Sequence, residues 1–224
     1  MKKTHQAKKL PFVTVKYAQS LDGRIATSTG DSQWISSPAS LKFAHRLRRD
    51  HDAIMVGIGT VLKDDPRLTV RLARGSHPLR VVIDSRLRIP LTANVLSPDL
   101  ARGTLVITSE GANQKRARRI ERTGATVLFA PRESDGRVSL VDALAALGER
   151  GIRSVLVEGG AALITALLSL RAVDRMVVIT APEIIGRGIE AVGDLRIMRL
   201  GDAITFSSTR IRRLGPDVIF DCLI

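Results

Sequence analysis

Ser154-Val155-Leu156-Val157-Glu158-Gly159-Gly160-Ala161 is the segment most informative about the fold, and an apolar run continues from it to Leu170. Its three consecutive apolar residues predict a strand covered on both faces, because a half-exposed strand would alternate polar and apolar side chains. The run from 161 to 170 predicts an apolar helix after a short polar and glycine turn. A buried strand followed at once by a helix is the repeating unit of α/β proteins with parallel sheets.

The same alternation extends over most of the chain. Continuous apolar runs predict strands at Phe12–Val15, Ile54–Val56, Val81–Ile83, Leu105–Ile107, Val127–Phe129, Val155–Val157 and Met176–Ile179. Helical patterns are found at Pro38–Asp50, Thr60–Lys63, Asn113–Arg122, Leu140–Arg150 and Ala161–Leu170. This order favours a doubly wound, mostly parallel sheet with helices on both faces.

The C-terminal part has a different pattern. Two strand-like runs, 204–211 and 218–223, flank the turn Leu214-Gly215-Pro216-Asp217 and predict an antiparallel hairpin. No linker or abrupt change of composition divides the chain. We therefore expect a basic tail over residues 1–10 and one domain over residues 11–224.

Composition limits the classes of protein that this chain can belong to. Cys222 is the single cysteine, so no intrachain disulfide can form, which is typical of a reducing compartment. No signal-peptide pattern follows the basic start, and the longest apolar stretch is about half of what a membrane span needs. The four histidines lack the spacing of a zinc site. We expect a cytoplasmic protein with no membrane partner and no metal.

The net charge of +13 leaves one non-enzyme alternative, a basic nucleic-acid-binding protein. Much of the charge lies in two segments, the tail over 1–11 and the predicted helix over 112–123, where the basic residues fall on the solvent face. Aromatic residues are only 3% of the chain, so stacking platforms for bases are scarce. We therefore expect no nucleic-acid partner.

Polar and glycine residues follow five of the predicted strands, and ligands bind at this end of parallel sheets. These strand ends are Ser20–Arg24, Gly57–Thr60, Asp84–Arg86, Thr108–Glu110 and Glu158–Gly160. Each is alone explained as ordinary loop composition, but together they predict a site along one edge of the sheet. The glycines of 57–60 and 158–160 would let backbone amides approach a pyrophosphate at a helix N-terminus. A formal Gly-x-Gly-x-x-Ala pattern at 186–191 has no helix after it, so we assign it to a loop.

Three further features remain ambiguous from the residues alone. Arg48 lies on or beside the apolar stripe of its helix, so it needs either a ligand phosphate or an internal acid, for which Asp64 or Asp65 would serve. The pair Asp64-Asp65 near a helix C-terminus indicates either a functional carboxylate or an Asp-stabilised turn. Trp34, in a polar segment, either covers a bound ring or packs against a satellite of the core.

Several ordered motifs resemble the reductase domain of the riboflavin-biosynthesis deaminase–reductases (RibD type). They are Lys16–Ala26, Gly30–Ser36, Leu47-Arg48, Asp52–Ile54, Gly59–Leu62, Asp64–Thr69, Val82–Ser85 and Val157–Gly160, which cover nearly the whole chain in the family's order. The resemblance implies a dihydrofolate-reductase-like fold, NADPH as cofactor and a homodimer. The deaminase signatures of the bifunctional proteins are absent, so we expect a stand-alone reductase.

The resemblance also implies roles for individual residues. The expected cofactor-binding set, which includes the glycine turns named above, is Ala18, Trp34, Gly59, Thr60, Asp64, Ser85, Gly159, Gly160, Ala161, Ala162 and Leu163, with the turn continuing to Ala166. The expected substrate-binding set is Ser32, Arg48, Leu68, Arg71 and Glu158, in which the two arginines suit a ribose phosphate. Asp64, Glu158 and Lys16 are the candidates for groups that act near the reacting carbon.

The implied reaction is reduction of the ribose of 5-amino-6-(5-phosphoribosylamino)uracil to the ribityl product. Hydride from NADPH would reach C1′ after the sugar ring opens to an imine, and a carboxylate would stabilise its positive charge. The segment Ser32-Gln33-Trp34 resembles the members that reduce the uracil. The alternatives are reduction of the diamino-pyrimidinone before deamination, or a related pterin or dihydrofolate-type reductase.

Overall fold

A computed structural model describes residues 10–224 of the chain. Its strands are β1 Phe12–Gln19, β2 Arg24–Thr27, β3 Ala53–Gly57, β4 Leu79–Ile83, β5 Thr104–Ser109, β6 Thr126–Ala130, β7 Ser154–Val157, β8 Arg175–Thr180, β9 Gly188–Glu190, β10 Ser208–Leu214 and β11 Asp217–Leu223. Its α-helices are α1 Pro38–Arg49, α2 Ile58–Asp64, α3 Gln114–Glu121, α4 Leu140–Glu149 and α5 Ala161–Ser169. The four lysines of the predicted tail, at 2, 3, 8 and 9, lie outside the described residues.

Nine of the strands form one sheet in the order β10-β11-β8-β1-β7-β3-β4-β5-β6. The seven strands from β8 to β6 pair in parallel. β11 runs antiparallel to β8, and β10 runs antiparallel to β11. The predicted fold class is therefore confirmed, including the C-terminal antiparallel hairpin.

Both faces of the central strands are buried, which explains why their sequences do not alternate. Val155 and Val157 pack toward α4 and α5, whereas Leu156 between them packs against Phe43 and Leu47 of α1. All three strand residues have 0% exposure. Strands covered on both sides in this way are the expected state of a parallel sheet.

Helix α1 is fixed at its start by the last strand of the sheet. The Ser37 side chain caps the helix by accepting a hydrogen bond from the Ser40 amide, and Pro38 follows in the first turn. The amide and hydroxyl of Ser37 both donate to Asp217 of β11, at 2.9 and 2.7 Å. These contacts set the position of α1 and therefore of Arg48 near its end.

The sequence missed a second, two-stranded sheet and placed one strand too early. β2 pairs antiparallel with β9, so the segment 186–191 is not a loop as expected but contains a short strand. The hairpin strand begins at Ser208 rather than at residue 204, because β11 ends at its partner Leu223. Between residues 10 and 224, no helix is long and apolar enough to cross a bilayer. The same residues contain no cluster of three or more potential metal ligands.

Candidate active site

A cleft of about 410 Å³ opens at the carboxyl ends of β1, β3 and β7. These strands are neighbours in the sheet, with β7 between the other two. Twelve predicted site residues line the cleft: Lys16, Ala18, Ser32, Gly59, Thr60, Asp64, Glu158, Gly159, Gly160, Ala161, Ala162 and Leu163. The fold thus brings most of the predicted set into one place.

The floor of the cleft is the glycine turn between β7 and α5. Gly159 has φ +131°, a backbone conformation that L side chains rarely adopt, and its carbonyl accepts the Gly57 amide at 2.9 Å. A Cβ atom on Gly160 would lie 3.3 Å from the Thr60 hydroxyl. Among the described residues no side chain caps the N-terminus of α5. The turn therefore leaves room and backbone donors for an anionic group.

Arg48 and Glu158 form a two-point ion pair beside the cleft. The distances are 2.9 Å from Nε to Oε1 and 2.6 Å from Nη2 to Oε2, and Nη1 also donates to the Thr69 carbonyl at 3.0 Å. Arg48 therefore pairs with an internal acid, which is the alternative left open beside a ligand phosphate, and that acid is Glu158 and neither Asp64 nor Asp65. The sequence did not predict this partner, because the two residues are 110 positions apart.

The charged groups in this region shift one another's pKa values. Although burial opposes ionisation, the Arg48 guanidinium and the nearby Lys16 lower the pKa of Glu158 to about 2. Burial lowers the pKa of Lys16, whereas Glu158 raises it and Arg48 lowers it further. Glu158 is therefore a fixed carboxylate, and Lys16 holds its proton less firmly than a lysine in water.

The two neighbouring acids of the Asp64-Asp65 pair have different environments. Asp64 lines the cleft, and its carboxylate makes no hydrogen bond or ion pair within residues 10–224. Asp65 is held by Asn94, whose backbone amide and side-chain amide donate to the Asp65 carboxylate at 2.7 and 2.9 Å. The Asp-stabilised turn thus describes Asp65, while Asp64 is the carboxylate that faces the cleft.

Other predicted residues lie outside the lining of the cleft. Trp34 is 75% exposed, so the alternative of a core contact for it is wrong. Leu68 is 2% exposed, and its side chain packs in the core. Arg71 is exposed on the loop after α2. Ser85 uses its hydroxyl to accept the Val138 amide at 3.0 Å.

Three of the five polar strand ends support neighbouring loops and do not line the cleft. The Asp22 carboxylate accepts the amides of Ile185 and Gly186 at 3.1 and 2.6 Å, and Arg24 pairs with Glu190. Ser109 donates to the carbonyl of Ser85 at 2.7 Å. The end of β5 is separated from that of β7 by β3 and β4, so it is too far along the sheet edge to reach the cleft.

A second hollow of about 730 Å³ lies next to the cleft, and both are bordered by Ala161 and Ala162 at the start of α5. Its far side is formed by residues 188–196, and Arg137 contributes a cation. The segment 186–191 therefore forms part of a wall. The N-terminus of α5 therefore lines both hollows.

Sequence reasoning overlooked His45, which was considered only as a metal ligand. Its Nδ1 accepts the Arg71 amide at 2.9 Å, and the residue is 1% exposed. Burial and the nearby Arg48 lower its pKa to about 4. Its spacing of three from Arg48 on one helix was the available signal, because residues three apart share a helix face.

The comparison with known families fits this geometry. The model of the RibD C-terminal domain matches residues 11–220. The chain belongs to this family. The RibD C-terminal domain is thus present over nearly all of the described structure.

This chain is similar to curated relatives of two kinds, which differ in length. The riboflavin biosynthesis protein RibD of Aquifex aeolicus is 38% identical over 217 residues, which are 96% of this chain and 58% of that protein. The 2,5-diamino-6-ribosylamino-4(3H)-pyrimidinone 5′-phosphate reductase of Methanothermobacter thermautotrophicus is 40% identical over 217 residues, 94% of this chain and 97% of that protein. The chain therefore spans a little over half of the RibD relative and almost all of the archaeal one.

Solved structures agree with the fold. RibD of Acinetobacter baumannii superimposes with a TM-score of 0.83 at 28% identity, over 97% of this chain and 59% of that one. Dihydrofolate reductase of Enterococcus faecalis reaches a TM-score of 0.50 at 14% identity, over 94% of both chains. The RibD C-terminal domain described here therefore has the dihydrofolate-reductase-like fold that the sequence predicted.

Proposed function

We propose that this chain catalyses the NADPH-dependent reduction of the ribose of 5-amino-6-(5-phosphoribosylamino)uracil to the ribityl product. The observation that carries the proposal is the cleft itself. It gathers Lys16, Asp64 and Glu158 beside a glycine turn and a helix N-terminus, in a family whose archaeal member is named as a reductase of a ribosylaminopyrimidine phosphate.

The residues present fit a dinucleotide cofactor. The uncapped start of α5 and the glycine at 159 offer backbone donors to a pyrophosphate. The two hollows, which share Ala161 and Ala162 in their linings, would each take one nucleoside half. Ala18, Gly59 and Thr60 would line the compartment beside the reacting carbon. When bound there, NADPH supplies the hydride.

The chain's own residues would donate a proton to the sugar and stabilise the positive charge that forms on it. Ring opening breaks the C1′–O4′ bond, forms a C1′=N iminium and requires a proton on O4′. The Lys16 ammonium, whose pKa burial lowers, is suited to give that proton. The Asp64 carboxylate faces the cleft and would stabilise the cationic carbon until hydride addition neutralises it. The net balance is one hydride and one proton per substrate.

The second candidate is the diamino-pyrimidinone substrate, and a specific observation favours it. The archaeal relative that matches this chain over 97% of its own length carries that substrate in its name. The two substrates differ at one exocyclic group of the pyrimidine, far from C1′. The same cleft chemistry would therefore serve both.

An assay of NADPH oxidation with both pyrimidines tests the proposal. Purified protein is mixed with NADPH and either the uracil or the diamino compound, and absorbance at 340 nm is followed. Turnover of the uracil with a higher kcat/KM than the diamino compound supports the first candidate, and the reverse order supports the second. Dihydrofolate serves as the comparison substrate. Turnover of dihydrofolate alone, or of none of the three, contradicts the proposal.

We further propose that the protein acts as a homodimer in the cytoplasm without a nucleic-acid partner. The single cysteine and the low aromatic content support the last two points. Sedimentation of the purified protein with and without duplex DNA at low salt measures both the assembly state and DNA binding. A monomer would contradict the proposed homodimer. A protein–DNA complex that forms at low salt and dissociates as the salt concentration rises would contradict the absence of a nucleic-acid partner.

A further inference from the structure

Among residues 10–224, two lysines line the cleft, Lys16 and Lys63, and only Lys16 has a part in the proposed chemistry. Lys63 lies in the last turn of α2, directly before Asp64. Its ammonium group makes no hydrogen bond or ion pair within the described residues. Lys16, in contrast, is buried near Glu158, whose charge acts on it. Lys63 is therefore a cation of the cleft that no acid of the described chain neutralises.

Helix α2 presents three of its cleft-lining residues on one face. They are Thr60, Lys63 and Asp64, and residues three and four positions apart lie above one another on a helix. The Thr60 hydroxyl, near the start of the helix, lies 3.3 Å from the place of a Cβ atom on Gly160, in the glycine turn. Lys63 and Asp64 follow about 5 Å farther along the helix axis. They therefore adjoin the space beyond the turn that would hold the pyrophosphate.

The turn that leads from β2 to Ser32 lies against the Lys63 side chain. Cε and Nζ of Lys63 are 3.2 and 3.1 Å from the place where a Cβ atom of Gly30 would lie, so the glycine leaves room for the ammonium group. The turn is closed by the Gly30 amide, which donates to the Thr27 carbonyl at 2.9 Å, and by the Thr27 amide, which donates to the Asp31 carbonyl at 2.9 Å. Ser32 lines the cleft and belongs to the expected substrate-binding set. The ammonium group thus lies on the substrate side of the cleft, between α2 and this turn.

The two candidate pyrimidines differ at the group on C2, which is a carbonyl in the uracil and an amino group in the diamino compound. A carbonyl oxygen accepts hydrogen bonds, whereas an amino group on the ring donates them. A lysine ammonium has three donors and no acceptor. It therefore satisfies the carbonyl but would face the amino group donor to donor, which leaves both groups unpaired.

We propose that the Lys63 ammonium donates a hydrogen bond to the C2 carbonyl oxygen of the pyrimidine and thereby selects the deaminated substrate. The proposal rests on the proposed function and deepens it, because it assigns the choice between the two candidate substrates to one residue. The pyrimidine ring is joined to C1′ through a single nitrogen atom, and Asp64, which would stabilise C1′, is the next residue of α2. The two neighbouring side chains can therefore contact the base and the sugar of one molecule.

Three variants isolate the donor. Lys63→Met keeps a flexible, unbranched side chain and removes the ammonium group, whereas Lys63→Arg keeps a charged donor. Lys42→Met is the matched control, because Lys42 is exposed on α1 and does not line the cleft. Lys63 is also exposed, so these substitutions should leave the fold intact.

The first readout is kcat/KM for the two pyrimidines with NADPH. We expect Lys63→Met to lower kcat/KM for the uracil compound about tenfold and to change it less than about twofold for the diamino compound. Lys63→Arg should retain most of the preference for the uracil, and Lys42→Met should match the wild type. The Kd for NADPH should stay that of the wild type in all three variants. Equal losses on both pyrimidines, or weaker NADPH binding in Lys63→Met, would overturn the proposal, since Lys63 would then serve the cofactor or the fold.

Binding to the complex with NADP⁺ tests the selection without turnover, because the oxidised cofactor has no hydride to transfer. Each pyrimidine is titrated into this complex in a calorimeter. We expect the wild type to bind the uracil compound about tenfold more tightly than the diamino compound, and Lys63→Met to bind both alike. A wild type that binds the diamino compound at least as tightly as the uracil overturns the proposal.

The two experiments together separate this proposal from the proposed function. If the wild type prefers the uracil in binding, Lys63→Met loses that preference, and the wild type oxidises NADPH with neither pyrimidine, the proposed function fails and the selection by Lys63 stands. If the wild type reduces the uracil compound and Lys63→Met keeps the full preference for it, the function stands and the role of Lys63 is overturned.

Discussion

The guanidinium of Arg48 meets the carboxylate of Glu158 at two points, with Nε–Oε1 and Nη2–Oε2 distances of 2.9 and 2.6 Å. The pair joins the last turn of α1 to the carboxyl end of β7. The side chains are only 14% and 9% exposed, respectively. It therefore fixes the helix that carries His45 against the strand that leads into the glycine turn.

Breaking this pair on one side should destabilise the fold. Glu158→Gln leaves a mostly buried guanidinium without its counter-charge, so we expect a loss of about 3 kcal/mol in the free energy of unfolding. Urea denaturation at pH 7 measures it. Asp50→Asn is the control, because the Arg49–Asp50 pair has side chains 39% and 52% exposed and its loss should change the free energy of unfolding much less. Equal effects of the two variants would contradict the account.

His45 should make stability depend on pH in a defined window. Its pKa is about 4 in the folded chain against an ordinary value of 6.5, so the unfolded chain takes up the proton first as the pH falls. Stability contributed by the neutral ring is present above pH 6.5 and is lost between 6.5 and 4, by up to about 3 kcal/mol. In His45→Asn the urea midpoint should depend less on pH between 6.5 and 4 than in the wild type. A wild-type slope retained in the variant would remove His45 as its source.

Glu158 should also make the fold less stable as the pH falls, but in a lower pH range than His45. Its pKa of about 2 lies below the ordinary 4.5, so its contribution is present above pH 4.5 and is lost as the pH falls toward 2. Wild type should lose stability more steeply than Glu158→Gln below pH 4.5. Parallel curves for the two proteins over that range would show that the pair does not hold the proton off Glu158.

The neighbouring acids of α2 should separate catalysis from structure. Asp64→Asn removes the carboxylate that faces the cleft, so we expect kcat to fall about 100-fold and the affinity for NADPH, which this residue is also expected to contact, to fall much less. Asp65→Asn weakens the hydrogen bonds to Asn94 instead, so it should lower the Tm and leave kcat nearly unchanged. Unchanged turnover in Asp64→Asn would remove this carboxylate from the mechanism.

The glycine turn should tolerate no side chain. Gly159→Ala places a Cβ at φ +131°, which strains the backbone by about 2 kcal/mol and should weaken NADPH binding. Gly201→Ala is the control, because a Cβ there meets nothing within 4 Å in the described structure and its φ is ordinary. Fluorescence titration with NADPH measures the difference. Equal affinities in the two variants would contradict the assigned role of the turn.

The sequence predicted the sheet because its signal is local. Continuous apolar runs such as 155–157 report burial on both faces, and the cap residues of α1 mark its start. The partner of Arg48 was not predictable, since Glu158 lies 110 residues away and two nearer acids were equally suitable. The spacing of His45 from Arg48 marked their common helix face, but the bond of His45 to the Arg71 backbone was missed because it reaches a loop that has no periodicity. β2 and β9 were missed because they are only four and three residues long.

Transfer of deuterium from the cofactor to the sugar is the most direct test of the proposed hydride transfer. The protein is incubated with NADPH carrying deuterium at both C4 positions and with the pyrimidine that it reduces, and the product is examined by mass spectrometry and NMR. We expect a single deuterium at C1′ of the ribityl chain. Product without deuterium, or with deuterium at any other carbon, would contradict it.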